Sequence, residues 1–376
     1  MLFIVLLLLQ QGYSQTENYF GQNPPGKKAE IFAPGIISLE DRYDQNSTFT
    51  PSGDEFCFTV TNSGWTACKI MYSQLQDGTW SEPTTLVSNG WDPFFSPDGE
   101  NLFFSRSGDL YVLEKTETGW ENQKKLDASI NGSGMEWSPA VSNNGTLYYF
   151  SRGPNCIYKS KKEGDAYPSI EKLASPMNDY HDQEPFIAPD ESYLIFTSDD
   201  RKGRIGTSDL FISFNVDNHW SEPVTLGPNV NSQEIEFCPY VSPDGKYFFF
   251  SRRKAWTTST PTNIYWADAS FIDSLKQVVT TDVKRTHTPT DIHLYQNFPN
   301  PFNPKTTIKY SLNRQNNVTL KIYNLSGQEI DTLVNRIETA GEHEIAWQPK
   351  GLPSAVYFCR LHIGKFTEMK KLIYQK

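Results

Sequence analysis

Four acidic side chains recur at one position of a repeating pattern. Asp44, Glu136, Asp182 and Glu236 each lie three residues ahead of the same short landmark, and Gly90 takes the fifth place. Arg106, Arg152 and Arg252 close the apolar segments that follow three of those landmarks. Carboxylates that converge on one point can hold a metal ion, a sugar or a basic peptide, with arginines balancing their charge. In the other arrangement each carboxylate caps its own loop or pairs with an adjacent arginine, and exposed pairs of that kind are individually weak. The elements that carry these residues decide between the two.

Other chemistry finds little footing. His181, His219, His287, His293, His343 and His362 are scattered, with no His-x-x-x-His and no Cys-x-x-Cys, so no metal site is assigned. No Gly-x-Ser-x-Gly and no phosphate-cradling glycine loop occurs. No catalytic residue and no cofactor is therefore assigned. Cys57, Cys68, Cys156, Cys238 and Cys359 read as buried thiols, with a Cys57–Cys68 bridge as the alternative.

The landmark is Pro93-Phe-Phe-Ser-Pro-Asp-Gly99, repeated as Pro139-Ala-Val-Ser-Asn-Asn-Gly145, Pro185-Phe-Ile-Ala-Pro-Asp-Glu191 and Pro239-Tyr-Val-Ser-Pro-Asp-Gly245, and in variant form as Ser47-Thr-Phe-Thr-Pro-Ser-Gly53. Its second fixed point falls at Pro51, Pro97, Asn143, Pro189 and Pro243, spaced by 46, 46, 46 and 54 residues. Proline presets φ, Asp bonds back to the backbone and Gly takes positive φ, which makes a tight turn between two strands. An apolar strand follows each turn, such as Leu102-Phe-Phe104 and Tyr247-Phe-Phe-Phe250, and a third comes next, such as Leu110-Tyr-Val112. A fourth follows an aromatic at Trp80, Trp120, Tyr167 or Trp220. Four short strands in a unit of about 40–50 residues make one blade of a β-propeller. The fifth unit lacks a fourth strand after Tyr265, while residues 29–35 resemble the close of the other units. This predicts that the stretch around Phe32 pairs into the last blade and closes the ring, removing the open edge. In a blade, the start of strand one and the end of strand two share a face, so the acidic column and the arginines are expected around one channel mouth. Trp80, Trp120 and Trp220 read as outer-strand packing, with sugar stacking as the other reading.

The composition limits the partners. The chain has 376 residues, a formal net charge of −10 and 14% aromatic residues. That aromatic content supports a large core and excludes full disorder. The acidic balance argues against a nucleic-acid partner. No apolar run reaches the roughly 18 residues of a transmembrane segment. Residues 2–9 are an apolar run too short to span, with Gly12 and Ser14 ahead of a cut before Gln15, so residues 1–14 read as a cleaved signal peptide.

Two family resemblances rest on these residues. The repeated Pro-x-x-Ser-Pro-Asp-Gly-x-x-x-x-Phe-Ser-Arg, with Asp209-Leu-Phe211 and Trp220-Ser-Glu-Pro-Val-Thr-Leu-Gly-Pro228, resembles the TolB-type (WD-like) propeller repeat of bacterial envelope and exported proteins. That resemblance implies binding more often than catalysis. The last eighty residues resemble the type A C-terminal sorting domain of the type IX secretion system. The carrying residues are Asn297, Pro299, Asn300, Pro301, Asn303 and Pro304 in Asn297-Phe-Pro-Asn-Pro-Phe-Asn-Pro304, then Thr307-Ile308, Ile322-Tyr-Asn-Leu-Ser-Gly327, Val356-Tyr357 and Lys370-Lys371. This second resemblance implies recognition by an outer-membrane translocon, removal by a sortase-like peptidase, and release or anchoring at the cell surface.

The expectation is an all-β chain. A five-bladed β-propeller spans 29–275, with six blades as the alternative; a polar linker spans 276–293; a small Ig-like β-sandwich for sorting spans 294–376. The expected function is binding of an extracellular glycan, peptide or protein by the propeller face, at Asp44, Glu136, Asp182, Glu236, Arg106, Arg152 and Arg252. The alternative is a glycan-active hydrolase using the acidic residues at the channel mouth.

Overall fold

A computed structural model describes residues 19–132, 134–216, 218–255, 261–286, 292–364 and 366–376. The expected signal peptide, residues 1–14, lies outside them. The fold is all-β and divides into two compact units between Gln277 and Val278.

Among the described residues the first unit contains five antiparallel sheets. Sheet I opens with Tyr43–Phe49 and Glu55–Thr61, sheet II with Trp91–Phe95 and Asn101–Arg106, and sheet III with Glu136–Val141 and Leu147–Ser151. Sheet IV opens with Asp182–Ile187 and Tyr193–Ser198, and sheet V with Ile235–Val241 and Tyr247–Arg253. The turn between these two strands is the landmark in every sheet. Its last residue has positive φ each time: Gly53 at 74°, Gly99 at 78°, Gly145 at 82°, Glu191 at 58° and Gly245 at 71°. The second strands are almost wholly buried, because they lie inside a stack with sheets on both sides. The first strand of each sheet packs on the first strand of the next, and that of sheet V packs back on sheet I. The Tyr240 hydroxyl links those last two, accepting from Phe49 N–H at 3.0 Å and donating to Phe49 C=O at 3.1 Å.

Sheet V takes its outer strand from the other end of the unit. Glu30–Ile31 pairs antiparallel with Asn263–Asp268, Glu30 opposite Trp266 and Ile31 opposite Tyr265. Phe32 follows with no exposed surface. Its ring meets Phe249 at 5.0 Å, Trp266 at 5.2 Å and Phe56 at 5.7 Å, so one side chain joins sheets V and I. Phe20, nearer the N-terminus, stacks on Trp80 at 4.3 Å.

The polar stretch expected to be a linker is largely helical. Phe271–Thr286 forms an α-helix with Asp273 in its first turn, where a carboxylate favours the positive end of the helix dipole. Ile272 and Val279 are buried and, with Leu275 between them, stand at helical spacing. The threonines further along mask this pattern in the sequence.

Among the described residues the second unit has two sheets. His293–Leu294, Thr306–Leu312 and Gly341–Trp347 form one; Glu329–Glu338, Asn316–Tyr323, Ala355–Ile363 and Phe366–Tyr374 form the other. Alternating buried residues, such as Val318, Leu320 and Ile322, meet Leu361 and Trp347 in a common core. The asparagines of the proline-rich segment act as braces. The Asn297 amide donates to Thr306 Oγ1 at 2.8 Å and to the Pro299 carbonyl at 3.1 Å. Asn300 donates to the Lys371 carbonyl at 3.0 Å and accepts from Ile373 N–H at 2.8 Å. Gly327 takes a φ of 80° in the turn that Asn324 caps, and the Tyr357 hydroxyl donates to the Pro353 carbonyl at 3.0 Å.

Candidate functional site at the channel mouth

The acidic column does not converge on the channel. Three of the four carboxylates hold their own loops, and Glu136 bonds across to the second strand. Asp44 accepts from Leu39 N–H at 3.0 Å and pairs with Arg42 at 2.5 Å. Asp182 accepts from Asn178 N–H at 3.1 Å and is gripped by both Nε and Nη2 of Arg201, at 2.8 and 2.6 Å. Glu236 accepts from Ser232 N–H at 3.0 Å and pairs with Arg252 at 2.7 Å. Glu136 accepts from Ser151 Oγ at 3.2 Å, and its Oε2 is buried without a partner. Gly90 breaks the column for a steric reason: a Cβ there would stand 2.7 Å from Val87 Cγ1 and 2.9 Å from Ile70 Cδ1. Arg106 donates to the Ser88 carbonyl at 3.1 Å and to Gln123 at 2.9 Å. Of the seven expected site residues, only Arg152 lies at the pocket described next.

The channel is lined two residues further along each first strand. Each first strand bulges at the same place, where Pro93, Pro139, Pro185 and Pro239 have no N–H to give the ladder and where Ser47 stands in sheet I. The residue just before takes positive φ in all five sheets: Asn46 at 49°, Asp92 at 52°, Ser138 at 49°, Glu184 at 53° and Cys238 at 53°. Left-handed backbone is strained for Ser, Glu and Cys, and strain of this kind gathers at functional sites. The flip breaks strand alternation and brings five unlike side chains around one small cavity.

Hydrogen bonds lace this ring from sheet to sheet. Asp92 accepts from Ser105 Oγ at 2.8 Å and from Ser138 N–H of sheet III at 3.2 Å. Glu184 accepts from Thr197 Oγ1 at 2.8 Å and from Cys238 N–H of sheet V at 3.1 Å. Ser251 Oγ accepts from Asn46 N–H of sheet I at 3.0 Å. Burial pushes the Asp92 carboxyl up. Burial, joined by the negative charges of Asp92 and Asp199, pushes Glu184 up to about 7. Burial also pushes the Cys238 thiol well up, so it stays protonated, and all five cysteines are free.

Above the ring opens a pocket of about 480 Å³. Trp91 and Trp137 stand one residue ahead of the bulge in sheets II and III, and Trp65 reaches in from the hairpin of sheet I. Trp65 and Trp91 stack at 5.7 Å, nearly parallel at 8°. The Arg152 guanidinium lies 5.3 Å from the Trp137 ring centre. Asp92, Glu184 and the Gln45 amide, whose Oε1 is buried without a partner, supply polar groups. Aromatic walls with a few convergent polar groups suit a small polar ligand. Trp120, by contrast, serves packing: it lies on Phe95 at 4.9 Å and donates to Glu55 at 2.7 Å. Sequence reasoning missed Trp65, Trp91, Asp92, Trp137 and Glu184. The available signal was the residue directly before each landmark proline, which reads Asp, Ser, Glu and Cys.

Comparison with known proteins decides the second unit. Residues 296–375 match the family model of the secretion system C-terminal sorting domain. The chain carries a type IX secretion sorting domain. It is thereby marked for export by that machinery, to the cell surface or beyond. No helix among the described residues is long and apolar enough to cross a membrane. No curated protein matches the chain. Among solved structures, TolB from Acinetobacter baumannii is similar at a TM-score of 0.40 and 17% identity, over 61% of this chain and 57% of that one. A thermostable family-43 glycoside hydrolase is similar at 0.38 and 14%, over 64% and 91%. PorZ, a surface component of the type IX secretion system of Porphyromonas gingivalis, is similar at 0.33 and 13%, over 89% and 45%.

Proposed function

We propose that the first unit is a five-bladed propeller that binds a saccharide at its channel mouth after export, and that the second unit is an Ig-like sandwich addressing it to the secretion machinery. In this reading residues 1–14 are removed as a signal peptide. The observation that carries the binding role is the pocket walled by Trp65, Trp91 and Trp137 and polar at Asp92, Glu184 and Gln45. A saccharide presents an apolar ring face and a polar rim, which such a pocket satisfies together. The expected site therefore moves from the acidic column to this set, with Arg152 kept from it.

A glycan array followed by calorimetry on the full chain tests the proposal. Trp91→Ala and Trp137→Ala should each weaken the best saccharide by about 10-fold or more, the loss of one buried aromatic contact. Full affinity in both folded variants overturns the pocket assignment. Hydrolysis is the second reading, favoured by two carboxylates in one pocket. It requires reducing-end release from the bound glycan, lost in Asp92→Asn and Glu184→Gln; an unchanged glycan after prolonged incubation rejects it.

A further inference from the structure

The small cavity below the saccharide pocket, about 30 Å³, has room for a single water-sized species. Asn46 borders it and is 8% exposed. Its amide oxygen, Oδ1, is buried without a hydrogen-bond partner. Leaving such an acceptor dry and unpaired is costly. The donors given to the two neighbouring carboxylates are neutral: Ser105 Oγ and Ser138 N–H for Asp92, Thr197 Oγ1 and Cys238 N–H for Glu184. The cavity thus gathers an orphaned amide oxygen and two carboxylates at three of the five positive-φ positions.

We propose that this cavity holds one calcium-type divalent cation, bound by Asn46 Oδ1 and the carboxylates of Asp92 and Glu184, with Ser138 Oγ within the same ring. The donors are all hard oxygens, and two carboxylates match a double positive charge. A side-chain cage of mixed oxygens, drawn from separate strands, suits calcium better than the strict octahedron of magnesium. Among the described residues no group of three His, Cys, Asp or Glu side chains is placed to hold a metal; the proposed set has two carboxylates, one amide oxygen and one hydroxyl. The ion would tie sheets I, II and IV together at the axis, and would do so without any saccharide.

The test uses the full chain, stripped with chelator and titrated with calcium chloride by calorimetry, with metal content read by elemental analysis. One ion per chain is expected, with a dissociation constant on the order of 10⁻⁴ M, as in extracellular modules. Asn46→Asp adds a carboxylate where Asn already accepts positive φ and should tighten binding. Asn46→Gly keeps the backbone, removes the oxygen and should weaken binding at least 10-fold. No uptake by the folded chain, or uptake indifferent to both variants, overturns the proposal. Saccharide binding is read separately in chelator, so either proposal can fail alone.

Discussion

Asp44 has no exposed surface, and burial pushes its carboxyl from 3.8 up to about 6 despite Arg42 beside it. As pH rises, the unfolded chain releases this proton first. Between the two values the folded protein holds a proton that the unfolded one has lost, so the Asp44 contribution to stability falls across that window. A shift of two units corresponds to about 3 kcal/mol. The stability difference between the natural chain and Asp44→Asn, measured by urea unfolding, should therefore fall by about that amount from pH 4 to pH 7. A difference flat with pH contradicts it. At this scale the sequence was read two residues out of place. Asp44, Glu136, Asp182 and Glu236 were visible as a column, but alternation alone cannot reveal the bulge that flips each first strand. Asp92 and Glu184 reach the channel only because of that flip.

Turns and strands were more legible than side-chain targets, because their causes are local. Pro-Asp-Gly, which uses proline's φ and glycine's tolerance of positive φ, makes the turn in sheets II and V, and variants of it that also end on a positive-φ residue make the same turn in the other three. The helix Phe271–Thr286 was hidden for the opposite reason: its stripe of Ile272, Leu275 and Val279 is narrow and its threonines suggest a loop. The strand Glu30–Ile31 is only two residues long, so pairing alone cannot hold it. Phe32 supplies the anchor, buried among Phe56, Phe249 and Trp266. Phe32→Ala should cost about 3–5 kcal/mol, the usual range for a buried phenylalanine. It should also speed proteolytic cleavage near residue 30 selectively, as the outer strand of sheet V frays. Loss of stability with uniform cleavage along the chain would mean that Phe32 is ordinary core and no latch.

For the whole molecule, the second unit is the sorting domain, and binding is the separate task proposed for the first. The sorting domain is readable from sequence because its braces are type-specific asparagines of one proline-rich segment: Asn297 bonds locally to Thr306, and Asn300 holds the distant last strand at Ile373. The ligand pocket is not, since Trp65, Trp91 and Trp137 come from three sheets and meet only after folding. A crystal structure of the full chain, soaked with the tightest saccharide from the array, tests the central claim most directly. Density for the sugar is expected against Trp91 and Trp137, above Asp92 and Glu184. Density on an outer blade surface, or a sugar bound with this pocket still filled by solvent, would contradict it.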